Sequence, residues 1–206
     1  MGLFAALIPP DSAREELARA VRSVGGDTPE LAAVPAASIH LPITSFGNVS
    51  GRDAAALAGL LRSEAAAWAR PVLRFSGGTA LEWPGDESVW AKLEGEVEQL
   101  TDIGRGVPGA VKRLGFFVDR RQFRPWMSVG TITSSTTAPY LQALVDALEA
   151  FCGESWTLPE LCLVRRLPAT PDQQGEGFEV VDRFPLGAGD AATASRPAPR
   201  VPGSSG

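Results

Sequence analysis

Short apolar runs alternate with helical stripes along this chain, and the order repeats. Residues 3–8, "LFAALI", form an unbroken apolar run closed by Pro9 and Pro10, which predicts a buried strand followed by a helix start. Ser12 and Glu15 have capping-box spacing, and Leu17, Ala20, Val21 and Val24 then line one helical face until Gly25 and Gly26. Residues 37–46, "ASIHLPITSF", have β-like composition. An Ala-rich helix follows with Leu57, Leu60, Leu61 and Ala65 on its buried side, ended by Pro71. "VLRFSGGTALEW" then predicts two strands around a Gly-Gly turn.

After the loop "PGDES" the order begins again. Strand "VWAKLEG" (89–95) precedes a helical stretch around Val97, Leu100 and Ile103, and strand "WMSVGTIT" (126–133) comes next. A helix with Leu141, Leu144, Val145 and Leu148 on one face leads to the strands "ELCLVRRL" and "FEVVDRF". Leu3 to His40 is 37 positions (40 − 3), and Val89 to Trp126 is also 37 (126 − 89). A unit this long, present twice, predicts two similar lobes rather than a solenoid, which needs three or more repeats. Gly104, Gly106 and Pro108 in "GRGVPG" oppose a continuous helix and predict a break there. Residues 187–206 lack apolar periodicity and predict a disordered tail.

Composition narrows the classes. With 206 residues, 44% of them hydrophobic, the chain fits one domain or two half-sized lobes sharing a core. Nineteen Lys and Arg against 24 Asp and Glu give a net charge of −5, which argues against a protein that blankets the phosphates of DNA or RNA. Cys152 and Cys162 lie ten positions apart without CxxC spacing, so neither a disulfide framework nor a zinc site is expected. One histidine, His40, excludes a His-rich metal site. No apolar run is long enough to span a membrane, and "MGLFAALIPP" lacks the basic start of a signal peptide, so the chain reads as soluble and cytoplasmic.

The residues that carry chemistry fall at matching places in the two halves. "LFAALIPP", "IHLPITSFG", "FRPWMSVG" and "CLVRRL…FEVVDRFPL", in this order over about residues 1–186, together resemble the 2′,5′ RNA ligase-like branch of the 2H phosphoesterase superfamily, the RNA 2′,3′-cyclic phosphodiesterase-like proteins. That resemblance implies an α+β fold of two pseudosymmetric βα lobes, about residues 1–86 and 87–186, with largely antiparallel sheets around a central cleft. It also implies one HxT or HxS motif per lobe and metal-free, cofactor-free hydrolysis of 2′,3′-cyclic or 2′,5′-linked phosphodiesters. Residues i and i+2 of a strand face the same way, so each tripeptide aims an imidazole and a hydroxyl at one cleft. One imidazole then takes a proton from water, the other gives one to the leaving oxygen, and the hydroxyls donate to phosphate oxygens.

Both motifs depart from the pattern. The first reads His40, Leu41, Pro42, with proline in place of the hydroxyl residue; the second reads Trp126, Met127, Ser128, with tryptophan in place of histidine. An indole has one N–H donor and no proton that titrates near pH 7, so the general-acid partner of His40 is missing.

Taken alone, His40 reads as a satisfied histidine on a half-buried strand; its motif position makes it a candidate ligand contact. Pro42 predicts an edge or bulged strand. Thr44, two residues on, faces the cleft if the strand stays extended and then replaces the lost hydroxyl, although a threonine also simply suits a strand. Ser128 occupies the motif position itself. Trp126 either plugs the cleft, the reading preferred from sequence, or stacks on a base. Arg124 suits a phosphate fork, Arg120 and Arg121 read as a solvated basic turn, and only one of Arg165 and Arg166 can face the cleft.

The expected ligand is a nucleotide or RNA-end phosphodiester, bound by a monomer with weak or no hydrolysis, and neither DNA nor membrane is an expected partner. The alternatives are a phosphodiesterase working with His40 alone and a non-catalytic interaction module whose cleft is filled by Trp126.

Overall fold

The computed structural model describes residues 2–116, 123–167 and 177–187. Arg120, Arg121 and residues 188–206 of the expected tail lie outside them. In chain order the elements are β1 (Leu3–Leu7), α1 (Asp11–Arg22), β2 (Leu31–Ala33), a single 3₁₀ turn (Ala36–Ser38), β3 (Leu41–Gly47), α2 (Gly51–Ala67) and β4 (Val72–Ala80). They continue with β5 (Ser88–Gly95), α3 (Val97–Lys112), β6 (Trp126–Ile132), α4 (Ala138–Ala150), β7 (Trp156–Thr157), β8 (Glu160–Arg166) and β9 (Phe178–Pro185).

The strands form two antiparallel sheets, ordered β3-β1-β8-β9 and β2-β6-β5-β4-β7. The internal repeat is visible in them: β1-α1-β3 and β5-α3-β6 are each a strand, a helix and an antiparallel return beside the first strand. Beyond these units the strands are exchanged. β4 leaves the first unit and pairs with β5, while β8 leaves the second and pairs with β1. Each sheet therefore draws strands from both sides of residue 86.

β1 explains its own unbroken apolar run, because it is buried on both faces. Leu3, Ala5 and Leu7 join a main core shared with Leu17 and Val21 of α1, Leu57 and Leu61 of α2, Leu100 and Ile103 of α3, and Leu144 and Leu148 of α4. Each fully buried Leu or Ile among them contributes about 1.5–3 kcal/mol. Phe4 and Ala6 point the other way, into a small cluster with Cys162 and Val164 of β8 and with Phe178 and Val180 of β9. No helix residue belongs to that cluster.

Four local expectations are corrected. Helix α1 starts one residue before Ser12, at Asp11, with Pro10 at the cap position and no side-chain cap. The fixed φ of proline leads into the first turn, Pro10 O accepts Arg14 N at 3.1 Å, and Ser12 is left on an exposed first turn. The strand expected from residue 37 begins only at Leu41, after the 3₁₀ turn. The Gly-Gly pair does not turn the chain: β4 runs through it with a bulge between Phe75 and Gly78, because Gly77 has φ +84° and a Cβ on Gly78 would lie 2.3 Å from Leu148 Cβ. Finally, α3 is continuous through Pro108. Its glycines give close packing rather than a break: a Cβ on Gly104 would lie 2.4 Å from the Phe123 ring, and one on Gly106 would lie 2.8 Å from the Trp68 ring.

Candidate functional site

The helices pack against the Leu3-Ala5-Leu7 side of the first sheet, and among the described residues none of them joins the cluster on its other face. His40, immediately before β3, lies on this other side. Its imidazole is 5.5 Å from the Phe4 ring and 4.8 Å from the Phe178 ring, centroid to centroid. Nδ1 is 2.7 Å from the Ser38 carbonyl oxygen. A carbonyl can only accept, so Nδ1 is the donor in this contact. The Arg166 guanidinium lies 5.6 Å from the Phe4 centroid, which brings a cation to the ring that flanks His40. Of the two consecutive arginines, Arg166 is thus the one on the His40 face, and Arg165 pairs with Glu179 at 3.3 Å.

Pro42 shares that face, but Thr44 does not. Pro42 pairs with Ala6 and Thr44 with Ala5, so Ile43 is an extra residue in the ladder. Direct partners in an antiparallel pair project from the same side. Pro42 therefore keeps the side of His40 and is exposed, whereas Thr44 turns to the main core, 6% exposed, with Oγ1 lacking a hydrogen-bond partner. The distortion expected at Pro42 is present, and it removes Thr44 as a substitute hydroxyl beside His40.

In the second sheet Trp126 and Ser128 are half-exposed and alternate with the buried Met127 and Val129. They share one face, as the i, i+2 spacing requires. Trp126 pairs with Lys92 and Ser128 with Trp90, so Ser128 sits among indoles. Its hydroxyl makes one long hydrogen bond, 3.4 Å to Gly130 O. Trp126 belongs to neither apolar cluster. Arg124 stacks on it at 4.9 Å and on Trp83 at 4.8 Å, and Trp83 lies 5.7 Å from Trp90. Trp90 Nε1 donates to Asp86 Oδ2 at 2.9 Å. Lys92 is held by Glu149 at 3.1 Å, a contact that, with the Gly78 N–H, keeps the Glu149 carboxyl below its ordinary pKa.

A short connection joins the two faces. Ala33 of β2 pairs with Gly130 of β6, Val34 N donates to Val129 O at 2.9 Å, and His40 follows seven residues after Ala33. Arg14 of α1 fastens the 3₁₀ turn in that connection by donating to Ala36 O at 3.2 Å and Ala37 O at 2.7 Å. Phe4, Phe178, Trp83 and Trp90 were not singled out from the sequence. They flank the motif residues across strands, and linear spacing contains no such signal.

Among the described residues, no group of three or more His, Cys, Asp or Glu is arranged to hold a metal ion. No helix among them is long and apolar enough to cross a membrane. Among the described residues, the candidate groups on these faces are the His40 imidazole, the Ser128 hydroxyl, the Arg124 and Arg166 guanidinium groups, the Lys92–Glu149 pair and the indoles.

No protein-family model matches the sequence, and no curated protein matches it. Solved structures do match the fold. TT0787 of Thermus thermophilus superposes with a TM-score of 0.70 at 19% identity, covering 91% of this chain and 98% of that one. Escherichia coli LigT complexed with 3′-AMP gives 0.69 at 19% identity, covering 89% and 97%. A crystal structure described as that of a phosphoesterase gives 0.65 at 17% identity, covering 90% and 98%. At these identities the likeness establishes architecture: the chain has the two-lobed α+β fold of the 2H phosphoesterases of the 2′,5′ RNA ligase-like group.

Proposed function

We propose that the chain is a divergent 2H phosphoesterase of the 2′,5′ RNA ligase-like branch. In this reading it binds the phosphodiester of a nucleotide or RNA end between the His40 face of the first sheet and the Trp126–Ser128 face of the second, and hydrolyses it weakly or not at all. The observation that carries the reading is the shared fold, on which His40 lies beside the Phe4 cluster of the first sheet and Trp126 and Ser128 share one half-exposed face of β6; the sequence resemblance makes Trp126 the counterpart of the second histidine. The LigT structure with 3′-AMP supports a nucleotide as the ligand class.

The roles follow from the groups. His40, its ring held by the Ser38 carbonyl, is the side chain that exchanges a proton with the reacting oxygen. Ser128 Oγ–H donates to a phosphate oxygen, and Arg124 and Arg166 supply positive charge on the two walls. No second imidazole delivers a proton to the leaving oxygen, and loss of one such group removes about 10²- to 10⁴-fold in rate. Binding survives that loss better than turnover does.

The test is a thermal-shift panel with 3′-AMP and adenosine 2′,3′-cyclic phosphate, followed by chromatography of the cyclic compound after incubation. A raised melting temperature with the cyclic phosphate largely intact supports the proposal, since a ligand that prefers the folded state stabilises it. An unmoved melting temperature with both compounds contradicts ligand binding. Rapid turnover that disappears in His40→Ala contradicts impaired catalysis.

A further inference from the structure

Three of the chain's five tryptophans, Trp83, Trp90 and Trp126, gather around Arg124 at the half-exposed Trp126–Ser128 face of the second sheet. The Arg124 guanidinium is 4.8 Å from the Trp83 centroid and 4.9 Å from that of Trp126. Its charge is opposed by no carboxylate ion pair among the described residues. Such an array is unusual on a protein surface, where large aromatic groups are normally covered.

The array is also built. Asp86 accepts from Trp90 Nε1 at 2.9 Å, from Glu82 N at 3.0 Å and from Ser88 N at 3.0 Å, and its own N–H donates to Trp83 O at 2.9 Å. One carboxylate thus fixes the loop that presents Trp83. Among the described residues, Leu81 in that loop is the one non-glycine with positive φ, +54°. A leucine held there is strained, and strain of this kind gathers at ligand-binding sites. The strained, fastened loop leaves Trp83 40% exposed beside a cation.

We infer that Trp83, Arg124 and Trp126 form a stacking subsite for the unpaired purine base of a ribonucleotide. This deepens the proposed function and rests on it. Ser128 is two strand residues from Trp126, about 7 Å, and faces the same side, so a phosphate at Ser128 places its own nucleoside over the indoles. Indole faces take any base, and a purine offers the larger surface; the guanidinium adds cation–π attraction and stays within reach of the phosphate.

The experiment measures dissociation constants by calorimetry for 3′-AMP, an RNA oligonucleotide ending in adenosine 3′-phosphate, ribose 5-phosphate and inorganic phosphate. It uses the wild-type chain, Trp83→Ala and Trp83→Phe. Trp83 is substantially exposed, so its replacement leaves the core intact. The expected result is that 3′-AMP binds at least tenfold more tightly than ribose 5-phosphate. Trp83→Ala weakens 3′-AMP about 5- to 100-fold without changing ribose 5-phosphate, and Trp83→Phe restores most of the loss. If the oligonucleotide binds more tightly than 3′-AMP and is equally sensitive to Trp83→Ala, the natural source is an RNA end; equal affinities assign a mononucleotide, and both support the subsite. Equal affinity for 3′-AMP and ribose 5-phosphate, or an unchanged 3′-AMP affinity in Trp83→Ala, overturns the stacking subsite while leaving the phosphate site standing. No binding of any compound overturns both.

Discussion

Thr44 pairs with Ala5 across the β1–β3 ladder, and that register carries its hydroxyl into the apolar core. Replacing an unpartnered buried hydroxyl by a methyl of the same shape removes a desolvation penalty of about 1–3 kcal/mol. Thr44→Val is therefore expected to raise the urea midpoint at unchanged slope and to leave nucleotide affinity as it is. A lost affinity would put Thr44 back in the ligand site.

Gly104 and Gly109 lie on the same helix and are expected to respond in opposite ways to alanine. Around Gly109 a Cβ meets nothing within 4 Å, so Gly109→Ala is expected to stabilise by about 0.5–1 kcal/mol through helix propensity. At Gly104 the added Cβ would meet Phe123 at 2.4 Å, and overpacking of about 1–3 kcal/mol outweighs the same propensity gain. Chemical denaturation of the two variants checks the pair; stabilisation by Gly104→Ala would mean that Phe123 gives way.

The thiols divide by burial. Cys152 is exposed and Cys162 is buried. Burial, reinforced by Glu160 and partly offset by Arg183, pushes the Cys162 thiol from 9.0 to about 12. Ellman's reagent at pH 8 is expected to titrate one thiol promptly in the native protein and a second only on unfolding. The sign for stability follows from the raised value. The neutral thiol favours the folded state fully below pH 9, and that contribution falls as pH rises from 9 towards 12, by about 1.4 kcal/mol per pH unit. Cys162→Ala should flatten this alkaline decline, and an equally steep decline would assign it to other groups.

Much of the fold was legible because the signals are local. The double-sided burial of β1 shows as an unbroken apolar run, the faces of α2 and α4 show at helical spacing, and the repeated distance of 37 positions gave two similar units. The exchange of β4 and β8 between sheets was not legible, because a strand's composition does not name its partner. The continuity of α3 was hidden for a related reason: Gly104 and Gly106 read as helix breakers until Phe123 and Trp68 are seen to fill the space above them. In the candidate site, motif spacing singled out His40, Trp126 and Ser128, and the shared face of the latter two followed from period two. One extra residue at Ile43 was enough to turn Thr44 away.

His40 is the sole histidine, so its imidazole gives one unambiguous set of signals. The most direct measurement is a titration of ¹⁵N-labelled protein with adenosine 2′,3′-cyclic phosphate, following His40 Nε2 and the phosphorus signal of the ligand in one sample. The account predicts that Nε2 shifts in a saturable way while the cyclic phosphate persists for hours. An Nε2 signal that stays in place at saturating ligand, or a cyclic phosphate consumed within minutes, would contradict it.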